Sequence, residues 1–135
     1  MSFESARVAL HTIAKTFHDT SYATTQVNYP GRWLTDVEQT TSPFVQVEWS
    51  MSQETYGLPT NLYAIKGEVL FTYFARKNSG QKIFSDYLTN LSNYMSMKTI
   101  SGVTFFDIHP YFGSGIPGFD SVTATISYEV QYSRP

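Results

Sequence analysis

Phe3, Ala6, Arg7, Leu10, Ile13, Ala14 and Phe17 recur at three- and four-residue intervals. This is the helical period, and it predicts an amphipathic helix over 3–18 with Ser2 or Ser5 as its cap. His18 to Ser21 end it, and a short strand over 24–29 is closed by the turn pair Pro30-Gly31. Residues 30–43 read as a surface loop carrying Arg32, Trp33 and Leu34. From Phe44 to Met51 the period changes to two, with Val45, Val47, Trp49 and Met51 on one face and Gln46, Glu48 and Ser50 on the other, as in a half-buried strand. After a break over 53–61, a longer strand over 63–76 places Ile65, Gly67, Val69, Phe71, Tyr73 and Ala75 in one row. Its second row starts polar and ends apolar at Phe74, so the far end of the strand is expected to be covered on both sides.

Asn78 and Gln81 have the spacing of a capping box, and Ile83, Phe84, Tyr87, Leu88, Leu91, Tyr94 and Met95 carry a second helix over 79–96. Residues 98–102 form a turn, 103–111 a strand, and Gly113-Ser114-Gly115-Ile116-Pro117-Gly118 a connection. Val122 to Tyr132 alternate without error. The expected order is α-β-β-β-α-β-β, with no repeat or linker to divide residues 1–135. This is a single α+β domain with a mostly antiparallel or mixed five-stranded sheet and two helices on one face.

Composition narrows the function. The chain has 135 residues, 41% hydrophobic, and only 15% are charged, against about 25% in typical soluble domains. Aromatic residues make up 16%, as ten Tyr, ten Phe and two Trp, a profile opposite to that of disordered chains. The net charge of −2 and pI near 5.8 argue against a dedicated nucleic-acid binder. Without cysteine there is no disulfide, thiolate nucleophile or Cys-based zinc site. No apolar run is long enough to span a membrane, and the start lacks the pattern of a signal peptide. A protein made in the cytoplasm, without a membrane partner, is the expectation.

Candidate chemistry is sparse. Asp107 and His109 project to one face of a strand, but no third ligand has recognisable spacing, so an ordinary polar face is expected. His11 and His18, seven apart on the first helix, read as solvated histidines. Ser114 lies between glycines, but without the spacing or the strand-to-helix setting of a nucleophile elbow. The turn from Arg76 to Lys82 leads a strand into a helix N-terminus, where amides can hold an anion; it lacks the first glycine and the Lys-Ser/Thr pair of a phosphate-binding loop. No catalytic residue, metal or cofactor is expected, and the protein is not read as an enzyme.

The elements from Lys66 onward resemble a known family. The strand Lys66-Gly67-Glu68-Val69-Leu70-Phe71-Thr72-Tyr73-Phe74 leads through Asn78-Ser79-Gly80 into the helix from Ile83 to Met95. A Gly-started strand, Gly102 to Ile108, a Pro/Gly loop and the strand from Val122 to Tyr132 follow. This order is similar to that of the tail terminator (tail completion) proteins of long-tailed bacteriophages. The resemblance implies a non-enzymatic virion protein in the tail or neck, assembled in the host cytoplasm. It forms a ring, usually a homohexamer, that caps the tail tube, stops its polymerisation and provides a docking surface for the head–tail connector. DNA passes through such a ring without specific binding. The alternatives are another neck or connector protein, or a small aromatic-rich module that binds a carbohydrate or other ligand.

A closed head-to-tail ring needs two different complementary patches per subunit, and contact surfaces are poor in charge and rich in aromatic side chains. The strand rows and helix stripes already furnish a core. Left over, in or beside loops, are Trp33, Tyr56, Phe74, Tyr111, Phe112 and Phe119; with Arg32 and Leu34 they are the candidate subunit and partner interface.

Overall fold

The computed structural model describes residues 2–30, 43–55, 62–113 and 117–133. Ser2 caps the first helix, α1 (Phe3–Ser21), its hydroxyl accepting the Ser5 N–H at 3.1 Å. The buried stripe is Ala6, Leu10, Ile13, Ala14, Phe17 and His18, whereas Phe3 and Arg7 face outward. Strands β1 (Gln26–Asn28), β2 (Phe44–Trp49), β3 (Ser52–Thr55) and β4 (Leu62–Arg76) come next, followed by helix α2 (Lys82–Met95). The chain then forms β5 (Thr99–Ile100), β6 (Val103–Gly113) and β7 (Phe119–Ser133).

The described residues thus form a mixed α+β domain with seven strands, where the sequence pattern predicts five. Both additional strands are short. β5 is the arm of a tight hairpin: Ile100 pairs with Val103 across Ser101 (φ 50) and Gly102 (φ 82), and positive φ at both central residues matches the twist of antiparallel strands. The capping box is not formed. Asn78 (φ 67) and Gly80 (φ 87) coil the chain into a turn, so α2 starts later, at Lys82, behind Gln81 with no side-chain cap.

The sheet order is β1-β2-β4-β7-β6-β5, with β3 also on β4. Only β1 and β2 run parallel. β4 and β7 pair along their whole length, from Leu62↔Ser133 to Arg76↔Phe119. One sheet face supplies Val45 and Val47, the row from Ile65 to Ala75, Val103 and Phe105, and the row from Val122 to Val130; α1 and α2 bury their stripes in the same cluster. The other face carries no described helix and shows half-buried hydroxyls, among them Thr72 and Thr123 bonded at 3.1 Å.

β2 and β3 are two halves of one strand along β4, since Trp49↔Val69 and Ser52↔Lys66 keep the same register. Between them the exposed Ser50 turns its backbone carbonyl inward. Its carbonyl accepts the Tyr128 hydroxyl at 2.6 Å, its N–H donates to the Glu68 carbonyl, and its hydroxyl accepts the Glu68 N–H. Gly67 makes room for this: a Cβ there would lie 1.9 Å from the Ser50 carbonyl oxygen and 3.0 Å from the Tyr128 hydroxyl. The first contact is with backbone, so no rotamer change relieves it. Gly67→Ala is therefore expected to destabilise the fold by about 1–3 kcal/mol or more, as overpacking does, measured by urea unfolding. A loss below about 0.5 kcal/mol, the range of innocuous surface changes, would show that the inward turn at Ser50 is not required.

Candidate contact surface and the buried histidine

The candidate interface residues fall into three groups. Arg32, Trp33, Leu34 and Tyr56 lie outside the described residues, as does Ser114. Phe74 and Phe119 are buried, contrary to the expectation that they stand free beside loops. Register explains it, because Phe44 faces Phe74 across β2 and β4 and Arg76 faces Phe119 across β4 and β7. Cross-strand neighbours on one face are close enough to stack. Phe44 and Phe74 stack with centroids 4.7 Å apart, Phe119 meets Phe44 edge-on at 5.3 Å, and the Arg76 guanidinium lies 4.7 Å above the Phe119 ring. This second cluster covers the end of β4 on the face away from the helices, so the expectation of cover on both sides holds there.

Tyr111 and Phe112 form the third group and are exposed, at 72% and 54%. They are adjacent in a strand and so project to opposite faces. Tyr111 pairs with Thr123 in the hydroxyl-bearing row, while Phe112 pairs with the core residue Val122 on the helix side. Both stand where β6 has lost its outer neighbour. β5 pairs only with Val103 and Thr104, and the backbone bonds from Lys98 to Phe105 and from Met97 to Phe106 extend the cover by two residues. From Asp107 to Gly113 no described strand pairs with the outer side of β6. Met97 and Phe106 add a second exposed apolar pair at the covered end.

Beside Phe112, a cleft of about 370 Å³ is lined by Gln81 just before α2, Phe84 of α2, Gly113 of β6, and Asp120 and Ser121 of β7. The Ser121 hydroxyl donates to the Gly113 carbonyl at 2.9 Å. A second cleft, about 260 Å³, opens between the helices, where Thr20, Ser21, Asn90 and Asn93 surround Phe17 and Tyr94. Asn90 is held there by donating to the Tyr22 hydroxyl at 3.0 Å.

The other candidate groups acquire plain structural roles. Asp107 accepts from the Ser96 hydroxyl at 3.1 Å and from the Ile108 N–H at 3.0 Å, and His109 is exposed. In the turn before α2, Arg76 covers Phe119, Lys82 pairs with Asp86 and the Ser79 hydroxyl bonds to the Arg76 carbonyl. Among the described residues no three His, Asp or Glu side chains gather as a metal site. No described helix is long and apolar enough to cross a membrane.

His18 departs most from its reading as a solvated residue, being 1% exposed. Its Nδ1 lies 2.7 Å from the Ala14 carbonyl and its Nε2 2.9 Å from the Tyr87 hydroxyl. A carbonyl only accepts, so Nδ1 carries the proton and the neutral ring accepts the Tyr87 O–H at Nε2. Phe17, Tyr22, Phe71 and Tyr87 surround the ring within 6.3 Å, centroid to centroid. Burial lowers the His18 pKa, opposed by the bond to Ala14 and the charge of Asp19. Burial also raises the Tyr87 hydroxyl well above its ordinary value and pushes Tyr73 up to about 12. The bond spans the two helices and is a structural anchor.

No family model and no curated protein matches the chain. A solved structure aligns with it at a TM-score of 0.67, covering 100% of this chain and 99% of that one at 13% identity. At that identity the likeness concerns the fold alone.

The histidine sets a pH dependence. Its folded pKa lies below the ordinary value of about 6.5, so between the two values the unfolded chain binds more protons. The stabilisation is complete above about pH 6.5 and is lost as pH falls toward the folded pKa, with a slope of at most about 1.4 kcal/mol per pH unit. Urea midpoints should fall below about pH 6.5, and His18→Gln, which cannot titrate, should flatten that portion of the curve. An unchanged slope in the variant would assign the dependence to other groups.

Proposed function

We propose that the protein is a non-enzymatic virion component, a tail terminator whose subunits form a ring, usually hexameric, that caps the tail tube and offers a surface to the head–tail connector. The observation that carries this reading is the exposed pair Tyr111 and Phe112 at the uncovered end of β6, in a chain with only 15% charged residues. Aromatic side chains standing on a rigid strand, low in conformational entropy and flanked by polar groups, are the residue types that dominate protein contacts. The resemblance of the segments from Lys66 to Tyr132 to the tail terminator family supplies the kind of assembly. A net charge of −2 suits a ring through which DNA passes without being held.

The test is assembly in the presence of tail tubes, followed by light scattering and electron microscopy of tube ends. The wild type should decorate tube ends as rings. The double variant Tyr111→Ser, Phe112→Ser should lose ring formation while unfolding within about 0.5 kcal/mol of the wild type, as exposed substitutions do. A protein that stays monomeric and leaves tube ends bare would sink the proposal.

The cleft between the helices favours a second reading, a module for a neutral polar ligand such as a sugar. Its hydroxyls and amides surround the rings of Phe17 and Tyr94, the mixture of apolar wall and hydrogen-bonding groups that ligand sites use. Saturable glycan binding that is weakened severalfold by Asn93→Ala, with the tube assembly assay negative, would establish it over the ring.

A further inference from the structure

We infer that the open edge of β6 and the cleft beside it form a docking site for an extended segment of a partner protein carrying a lysine or arginine side chain. Three observations converge. First, the outer edge of β6 is unpaired by any described strand from Asp107 to Gly113, over a stretch that keeps regular register with β7 from Ile108↔Ile126 to Gly113↔Ser121. A straight, unpaired edge supplies backbone donors and acceptors to an added strand. Second, Tyr111 and Phe112 are exposed on opposite faces of that edge, so side chains of an added strand would meet an aromatic ring on either side. Third, the cleft on the Phe112 side contains Asp120.

Asp120 decides the chemistry of the partner. It is half-buried, and its carboxylate has no hydrogen bond or ion pair among the described residues. Asp86, on the neighbouring helix, is by contrast already paired with Lys82. Exposed Phe112 and the edge of the buried Phe84 line the same cleft, and a carboxylate in such a partly apolar cleft attracts a guanidinium or ammonium group and rejects an anion. The site therefore selects a cationic side chain on an extended backbone. Edge pairing has its own restriction, because Pro110 has no N–H to offer. A bulge between Phe105 and Ile108 ends the regular edge on the other side. Any added strand is thereby limited to the stretch from Ile108 to Gly113, with one donor missing at Pro110.

The inference rests on the contact reading of Tyr111 and Phe112 and adds the class of partner; it does not require the ring. The experiment uses the purified full chain and three blocked pentapeptides of alternating valine and threonine whose central residue is arginine, glutamine or glutamate. Binding is followed by two-dimensional amide NMR. The arginine peptide should shift the amides of β6 beyond Asp107 and those around Asp120, and bind roughly three- to tenfold more tightly than the glutamine peptide. The glutamate peptide should be weakest. Asp120→Asn, which keeps side-chain size and the ladder to β4, should erase the preference for arginine while weaker edge binding remains. Equal affinities for the three peptides, shifts confined to other elements, or no shift with the arginine peptide would overturn the proposal. Because no tail tube is involved, failure here leaves the assembly assay as an independent test of the ring.

Discussion

The β4–β7 ladder is the constraint on which everything else in this protein depends. Both strands run fifteen residues and pair along their whole length, and all other strands attach to one side or the other of this pair. The chain between them, α2 with β5 and β6, returns to β7 through the β6 hairpin, while β2 and β3 share the far side of β4. Because the pairing joins distant stretches of sequence, its loop-closure entropy must be overcome before the ladder contributes stability. Local elements, the α1 cap and the Ser101-Gly102 turn, can form first but bury little alone.

A ladder of that length fixes two faces, and the faces account for the aromatic surplus. On the helix side, Phe17, Phe71, Tyr73, Phe84, Tyr87, Phe105 and Tyr128 are buried in one cluster. The ring contact of Tyr73 with Tyr87 at 4.6 Å joins the sheet to α2, and that of Phe17 with Tyr94 at 5.3 Å joins the two helices. The remote face has its own cluster of Phe44, Phe74 and Phe119. Polar tips inside the core are handled in pairs, Tyr87 with His18 and Tyr128 with Ser50, as burial of a hydroxyl requires. The composition is therefore chiefly a statement about the core. Among the described aromatic residues, Phe3, Phe106, Tyr111 and Phe112 remain for the surface.

How much of this is legible in the sequence follows from how far each signal is local. The helices and the strands over 44–49, 62–76 and 119–133 are carried by periodicity, which is a property of the segment itself, and they lie within a few residues of their expected positions. β3 and β5 are too short for a period to develop, and each exists because a neighbour offers an edge in register. Ser-Gly between Ile100 and Val103 is the available turn signal for β5. His18 escapes a local reading for a similar reason. It continues the stripe of Ala14 and Phe17, but its burial depends on the Tyr87 hydroxyl 69 residues away. Phe74 and Phe119 escape it because what covers a strand end is set by cross-strand register. Of the candidate surface, Tyr111 and Phe112 are identifiable as residues outside the core stripes, but the edge beneath them that no described strand pairs and Asp120, without a partner among the described residues, are not.

The open part of β6 is a consequence of the same arithmetic of lengths. β6 has eleven residues to satisfy the long β7, whereas the hairpin arm that shields its other side has two. The arm cannot extend further, because Met97 adopts φ 59 and turns the backbone away toward α2. An edge left open in this way is a hazard for indiscriminate strand addition, and here a proline stands within it and a bulge at its start. Those two features limit pairing without covering the side chains, and Tyr111 and Phe112 stand just beyond the proline. The central ladder thus sets more than the stability of the domain. By requiring a long β6 beside a short β5, it determines where backbone and aromatic surface are presented together.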